Sequence, residues 1–196
     1  MAVEIEAKFL NIDHDVMRAT LAAAGAILVQ PMHLMHRQMF DYTDGRLQAN
    51  HSRLRVRDEN GKITLTFKKG RDNDYADESE TTVGSYEIAA EILEAIGLHV
   101  YSSQQTKREI WHLDDVEVML DVWPWLDPYI EIEGPTEDGI KAAAQKLGLD
   151  WLAAGFGSVD TAYRAQYPRM MSNESIGAIA DLSFDGLMPQ WFSDRI

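Results

Sequence analysis

The 196-residue sequence contains no cysteine, and this absence excludes disulfides, thiolate metal sites and cysteine nucleophiles. It also has no apolar run approaching the roughly 18 residues that a membrane-spanning helix needs. Positive charge is scarce, because 18 Lys and Arg residues stand against 32 Asp and Glu residues, for a formal net charge of −14. Such a negative field disfavours loose binding to nucleic acid or to an anionic membrane. We therefore expect neither as a partner.

The rest of the composition is that of an ordinary folded protein, with 45% apolar and 26% charged residues. A chain without thiols suits a reducing cytoplasm, and Glu4, Glu6 and Lys8 stand where a secretory signal would need an apolar run. We expect a cytoplasmic protein, monomeric or homodimeric. Its main domain is predicted at residues 1–168, and residues 169–196 are predicted to form a C-terminal extension that packs on this domain or is partly flexible.

Several segments alternate apolar and charged residues, which is the period of a half-buried strand. These segments are VEIEAKFL at 3–10, RLRVR at 53–57, KITLTFKK at 62–69, VEVMLDVW at 116–123 and DPYIEIEG at 127–134. The Asn60-Gly61 pair predicts a hairpin between the second and third of them. Asp13, Ser85 and Thr136 are typical N-caps and predict three helices. The count is seven or eight strands, mostly antiparallel because most of the connections are short.

One face of these strands, and of the further predicted strand QQTKREIWHL at 104–113, carries charge of both signs. Its acidic members are Glu4, Glu6, Asp121, Glu131 and Glu133, and its basic members are Lys8, Arg53, Arg55, Arg57, Lys68 and Arg108. Carboxylates on rigid strands suit a hard divalent cation such as Mg²⁺ or Mn²⁺, and Arg and Lys suit phosphate oxygens. The solvent-facing side of an open sheet gives the same pattern on any one strand. Its recurrence on several strands favours a site for a metal-chelated polyphosphate.

In this order the motifs resemble the CYTH superfamily, also called the triphosphate tunnel metalloenzymes, which include class IV adenylyl cyclases, thiamine triphosphatases and inorganic triphosphatases. The matching motifs are EIEAK at 4–8, RLRVR at 53–57, LTFKK at 65–69, the pair Glu78 and Glu80, KRE at 107–109, Asp121, and EIE at 131–133. The resemblance implies an α+β fold. In it, eight antiparallel strands close into a β-tunnel, or barrel, with helices packed outside.

The resemblance also implies roles for individual residues. The metal would be held by Glu4, Glu6, Asp121, Glu131 and Glu133, while the choice between Glu78 and Glu80 as a further carboxylate stays open. The triphosphate would be bound by Lys8, Arg53, Arg55, Arg57, Lys68 and Arg108. Lys8, near the reacting phosphate, and Asp121, which would hold the metal or position water, are the predicted catalytic residues. The sequence departs from the family pattern at WPWLDPY (123–129), where packing is the favoured role of Trp123 and Trp125.

The predicted function is metal-dependent hydrolysis of a small-molecule triphosphate, with Mg²⁺ or Mn²⁺ as the cofactor. The substrate would be inorganic triphosphate, thiamine triphosphate or a nucleoside triphosphate. The first alternative is a class IV adenylyl cyclase that converts ATP to cyclic AMP and pyrophosphate with the same residues. The second is a non-catalytic polyphosphate-binding module, which would need only the basic half of the site.

Overall fold

The computed structural model describes residues 5–70 and 76–194 of the chain. Its strands are β1 (Ile5–Phe9), β2 (Ile27–Tyr42), β3 (Ser52–Glu59), β4 (Lys62–Gly70), β5 (Ala76–Thr82), β6 (Leu98–Leu113), β7 (Val116–Val122), β8 (Tyr129–Gly134) and β9 (Asp181–Leu182). Its helices are α1 (His14–Ala23), α2 (Arg46–Ala49), α3 (Tyr86–Ala95), α4 (Glu137–Lys146), α5 (Asp160–Gln166) and α6 (Gln190–Ser193). Two 3₁₀ helices cover Trp151–Ala153 and Ile176–Ala178.

The three predicted N-caps are confirmed. The side chains of Asp13, Ser85 and Thr136 accept hydrogen bonds from backbone N–H groups in the first turns of α1, α3 and α4. Each cap thereby satisfies donors that a helix start leaves without an intrahelical acceptor. The predicted hairpin between β3 and β4 is also confirmed. Asn60 and Gly61 both have positive φ, at 55° and 93°, as a two-residue turn of this kind requires.

The strands form one mixed sheet in the order β1-β8-β7-β6-β2-β3-β4-β5, in which every neighbouring pair is antiparallel, and β9 adds a short parallel pairing to β6. The sheet curls into a half-barrel. Within residues 5–70 and 76–194 no pairing joins β1 to β5, so closure into a full tunnel stays a prediction. At the outer edge of β1, the N–H and C=O groups of Lys8 and Gly155 exchange two hydrogen bonds of 2.8 Å.

The convex face of the sheet is apolar and lies under the helices, as strand alternation predicts. A first core cluster packs α1 and α4 against β1, β7 and β8, with Ile130 and Ile132 fully buried. A second packs α3 against Phe40 and Val56 of β2 and β3. The charged residues of the same strands therefore point to the opposite, concave face.

A third cluster joins the end of β7 to the C-terminal residues. It packs Trp123 and Tyr129 against Tyr163, Leu182 and Phe192. Tyr129 lies two residues before Glu131, so this cluster covers part of the concave face beside the charged residues. Residues 169–194 thus contribute to the fold, whereas the division of the chain at residue 168 stays a prediction. In the described part of the chain no helix is long and apolar enough to cross a membrane.

Candidate active site

The pairing of β1 with β8 places two pairs of predicted site residues side by side. Glu6 lies directly opposite Glu133, and Lys8 lies directly opposite Glu131. Residues two positions apart in a strand share a face, and the apolar residues between them face the helices, so all four side chains are on the concave face. Glu4, the remaining predicted metal ligand on the N-terminal segment, lies outside the described residues.

Lys8 is at the centre of the acidic side of the site. Its Nζ is 2.6 Å from Glu6 Oε1 and 3.2 Å from Glu131 Oε1, and the residue is only 2% exposed. Burial by itself would lower the pKa of this ammonium, but the two carboxylates outweigh it, and the pKa is raised above its usual value. Lys8 is therefore charged at neutral pH.

Arg108 extends this network to β7. Its Nε and Nη2 donate to Asp121 at 2.7 and 2.6 Å, and Nη2 also donates to Glu131 Oε2 at 2.7 Å. Asp121 is fully buried and is held in a two-bond pair with the guanidinium, which is the strong geometry for arginine and a carboxylate. The described carboxylates Glu6, Glu131 and Asp121 and the cations Lys8 and Arg108 thus form one continuous chain of ion pairs, the acidic network.

The two carboxylates that share Arg108 differ in their pKa values. Burial would raise the pKa of Glu131, but Lys8 and Arg108 outweigh it and hold the pKa at about 2. For Asp121, burial and the nearby charge of Glu131 prevail over Arg108, and the pKa rises to about 6. Asp121 is therefore the first of the two to take up a proton as the pH falls.

The basic side of the site is built on β3 and β4. Arg53, Arg55 and Arg57 share the concave face of β3, and Lys68 is the cross-strand neighbour of Arg53 on β4. Arg55 and Arg57 are largely buried, whereas Arg53 is exposed. The four predicted phosphate-binding residues of these two strands are therefore brought together, with Arg53 at the solvent-exposed end of the row.

Glu78 and Glu80, the carboxylates of uncertain assignment, lie on this basic side and not in the acidic network. Lys68 forms an ion pair with Glu78, which is also 3.8 Å from Arg55. Glu80 accepts a hydrogen bond of 2.7 Å from Thr66 and lies 3.7 Å from Arg57. In this arrangement both carboxylates orient the cations of β3 and β4.

Arg37, on β2, is a concave-face residue that the sequence motifs missed. It pairs in register with Arg57 of β3 and with Gln104 of β6, and it is 8% exposed. Its neighbours on the same face of β2 are Met35 and Met39, which are also buried. Charge therefore does not alternate along this strand, and the available signal was one arginine between two methionines of the same face.

Three arginines of the concave face have donors without a partner. The Nε atoms of Arg37, Arg55 and Arg57 are buried and make no hydrogen bond to any described residue. Buried polar groups are nearly always hydrogen-bonded in folded proteins, and an exception calls for an explanation. A guanidinium cluster with spare donors is suited to a phosphate-bearing ligand, because the phosphate oxygens accept several charged hydrogen bonds at once.

The fit of a divalent cation depends on the carboxylates of the acidic network. Among residues 5–70 and 76–194, no three His, Asp or Glu side chains are close enough to hold a metal ion. Lys8 and Arg108 occupy oxygens of Glu6, Glu131 and Asp121 in this arrangement. The donor chemistry nevertheless fits a hard cation, since Glu6 lies directly opposite Glu133 across β1 and β8 and carboxylate oxygens are the ligands that such a cation prefers.

A cavity of about 360 Å³ lies away from these residues, on the convex face between α3 and the segment around β9. Arg37 is among its lining residues, and the Nη2 atom of Arg37 donates to Thr106 Oγ1. The cavity contains none of the residues that the sequence predicted for the site. Its lining residues are His36, Arg37, Gln38, Asp58, Tyr86, Glu87, Ser103, Gln104, Gln105, Asp181 and Ser183.

Comparison with known families agrees with the fold and with the position of the motifs. The model of the CYTH domain matches residues 2–155, which is most of the chain. The chain belongs to the CYTH family. The match includes every motif from EIEAK to EIE and ends at Gly155, the residue that bridges to Lys8.

Solved structures similar to this CYTH protein share its fold at low sequence identity. A candidate adenylate cyclase from Vibrio parahaemolyticus has a TM-score of 0.73 at 16% identity, over 81% of this chain and 96% of its own. The PH1012 protein of Pyrococcus horikoshii has a TM-score of 0.64 at 23% identity, over 78% and 94%. A candidate adenylyl cyclase from Hippeastrum, described as having a dominant triphosphatase activity, has a TM-score of 0.60 at 15% identity, over 88% and 98%. Among curated proteins, none matches the sequence.

Proposed function

We propose that this CYTH protein is a metal-dependent triphosphatase that hydrolyses a small-molecule triphosphate bound on the concave face of its sheet. The main support is the arginine cluster of Arg37, Arg55 and Arg57, whose buried Nε donors lack partners among the described residues. This cluster is on the same face as the carboxylates of the acidic network. A ligand that needs both is a polyphosphate, whose charge is shared between a metal and basic side chains.

The side chains have distinct roles in this proposal. Glu6 and Glu133, with Glu4 and Glu131 as further candidates, would hold a divalent cation, which when bound polarises a phosphoryl oxygen and helps to activate water. Arg55, Arg57 and Lys68 would bind the phosphate chain and stabilise the charge that develops on its oxygens in the transition state. Arg53, at the exposed end, would contact the substrate where it enters.

Lys8 and Arg108 would exchange partners when the substrate binds. Both are held by carboxylates in this structure, at distances of 2.6 to 3.2 Å. A phosphate oxygen offers each cation an equivalent anionic acceptor, so Glu6 and Glu131 can then turn to the metal. Asp121, which keeps two bonds to Arg108, would orient that guanidinium or contribute to the metal site.

The alternative within the family is an adenylyl cyclase, in which the ribose 3′-hydroxyl of ATP attacks the α-phosphorus and pyrophosphate leaves. The same residues would bind the triphosphate in both reactions. We favour hydrolysis because no adenine-recognition element is apparent in the sequence. A non-catalytic binding module is the third option, and the carboxylates of the acidic network argue against it because polyanion binding alone does not need them.

An assay of substrate and product distinguishes the three functions. The protein is incubated with Mg²⁺ or Mn²⁺ and with tripolyphosphate, thiamine triphosphate or ATP, and phosphate, pyrophosphate and cyclic AMP are quantified separately. The proposal expects release of phosphate, which Lys8→Met abolishes and Lys141→Met, on the exposed face of α4, leaves intact. Formation of cyclic AMP and pyrophosphate from ATP would establish the cyclase instead. Tight binding without turnover of any of the three would favour the binding module.

A further inference from the structure

Arg37 is a buried cation for which the described residues supply little compensation. Nη2 donates to Thr106 Oγ1 at 2.6 Å, and this is its one side-chain hydrogen bond within the described part of the chain. Nε has no partner there. An arginine removed from water without a carboxylate partner is costly, and such groups are concentrated at functional sites.

The guanidinium of Arg37 lies over the indole ring of Trp123. Its Cζ is 4.8 Å from the centre of the indole ring, which is within the range of a cation–π contact. Trp123 Nε1 is likewise buried and without a hydrogen-bond acceptor among the described residues. Two neighbouring side chains thus each have an N–H donor to spare, and an oxygen-rich anion would supply the missing acceptors.

The charges around Arg37 are mostly of its own sign. Burial lowers its pKa, and Arg55, Arg57 and Arg108 lower it further, to about 9, with Asp121 as the opposing charge. Strand order explains this position, because β2 lies between β3, which has Arg55 and Arg57, and β6, which has Arg108. Arg37 therefore connects the basic side of the site to the acidic network.

We propose that Arg37, supported by Trp123, is a further phosphate-binding residue, placed to contact an oxygen of an extended phosphate chain between Arg57 and Arg108. This inference rests on the proposed function and adds a residue outside the motifs that predicted the site. A shorter ligand can be bound by the arginines of β3 without reaching the space beside β2. Arg37 is thus expected to favour a triphosphate over a single phosphate.

The test measures binding without metal or turnover. Isothermal titration calorimetry in EDTA gives the Kd of tripolyphosphate and of orthophosphate for the wild type and for Arg37→Met. We expect the Kd of tripolyphosphate to rise on the order of tenfold to a hundredfold, as is typical when a charged hydrogen bond is lost. The rise for orthophosphate is expected to be smaller. Arg37→Gln, which keeps a donor for Thr106, serves the same purpose if the methionine variant does not fold.

The matched control is Arg46→Met, because Arg46 also stacks on an aromatic ring, that of Tyr42, but its side chain is exposed and its ion pair is with Asp44 and not with a site residue. Its Kd for both ligands is expected to equal that of the wild type. An unchanged Kd of tripolyphosphate in the Arg37 variants would refute the inference while leaving the proposed function standing. Equal losses for tripolyphosphate and orthophosphate would also refute it, since they indicate a general disturbance. If the wild type binds no tripolyphosphate in EDTA, the inference fails, because it requires the arginines to bind the phosphate chain without metal; the proposed function is tested separately by the metal-dependent assay of products.

Discussion

Replacement of Glu131 by Gln tests the acidic network most directly. Glu131 accepts from Lys8 at 3.2 Å and from Arg108 at 2.7 Å, and it is 7% exposed. Removing one partner of a buried ion pair typically costs 3 to 5 kcal/mol, but here Lys8 keeps Glu6 and Arg108 keeps Asp121, so we expect about 3 kcal/mol. The fall in the pKa of Glu131 from 4.5 to about 2 corresponds to a similar free energy, because the pKa difference measures how strongly the folded structure favours the ionised carboxylate.

The assay is urea unfolding of the metal-free protein in EDTA, from pH 8 down to pH 3. Because the pKa of Glu131 is lower in the folded state than in the unfolded state, its contribution to stability is fully present above the unfolded value. It is lost as the pH falls through the folded value. The difference in unfolding free energy between wild type and Glu131→Gln should therefore be constant only above about pH 7, because Asp121, whose pKa of about 6 depends in part on Glu131, titrates below that pH. The contribution of Glu131 itself should shrink below about pH 5.

Glu117→Gln is the matched control. Glu117 lies on β7, directly opposite Glu133 of β8, but its side chain is 49% exposed and pairs only with His112 among the described residues. We expect its unfolding free energy to change by less than about 0.5 kcal/mol. A loss of less than about 1 kcal/mol for Glu131→Gln, no larger than a surface pair provides, would mean that the network does not stabilise the fold. The pKa argument would then be wrong.

Three further predictions concern the metal, the phosphate chain and the fold. Glu6→Gln should lower activity at limiting metal at least about tenfold, which corresponds to about 1.4 kcal/mol in the activation barrier, and excess Mg²⁺ should restore part of the activity. Full activity of the variant throughout a metal titration would show that Glu6 is not a metal ligand. Arg57→Ala should raise KM for the triphosphate and lower kcat, because its contacts tighten as charge develops, and steady-state kinetics like those of the wild type would return Arg57 to a structural role. Asp41→Ala should lower the unfolding free energy by about 2 kcal/mol, because the carboxylate accepts from the backbone N–H groups of Tyr42, Leu47 and Gln48; urea unfolding with no loss would contradict it.

The sequence predicted those parts of the site that depend on local period. Alternation placed Lys8 and Glu6 on one face, and RLRVR placed Arg55 and Arg57 on one face, because side chains two residues apart in a strand must share a side. Helix starts were predictable for the same local reason, since a capping side chain acts within its own first turn. Which cation neutralises which carboxylate was not predictable, because that depends on the register of strands distant in the sequence.

Other features escaped prediction for identifiable physical reasons. β2 continues through Pro31, which lacks an N–H donor, and the register shifts on either side of Gln30 accommodate it. Arg37 lies between two buried methionines, so no charge alternation marks it. The C-terminal elements are only two to seven residues long and pack through aromatic side chains, so they leave no periodic signal in the sequence.

The two outermost strands of the sheet have different protection against association between molecules. An unpaired strand edge is a template for intermolecular pairing and aggregation. On β1 the mutual hydrogen bonds between Lys8 and Gly155 occupy part of that edge, near the end of the strand. β5 instead carries Asp77, Glu78 and Glu80 within seven residues, and charged side chains on an edge strand disfavour its pairing with another sheet. The half-barrel can therefore expose the edge of β5 without attracting a second sheet.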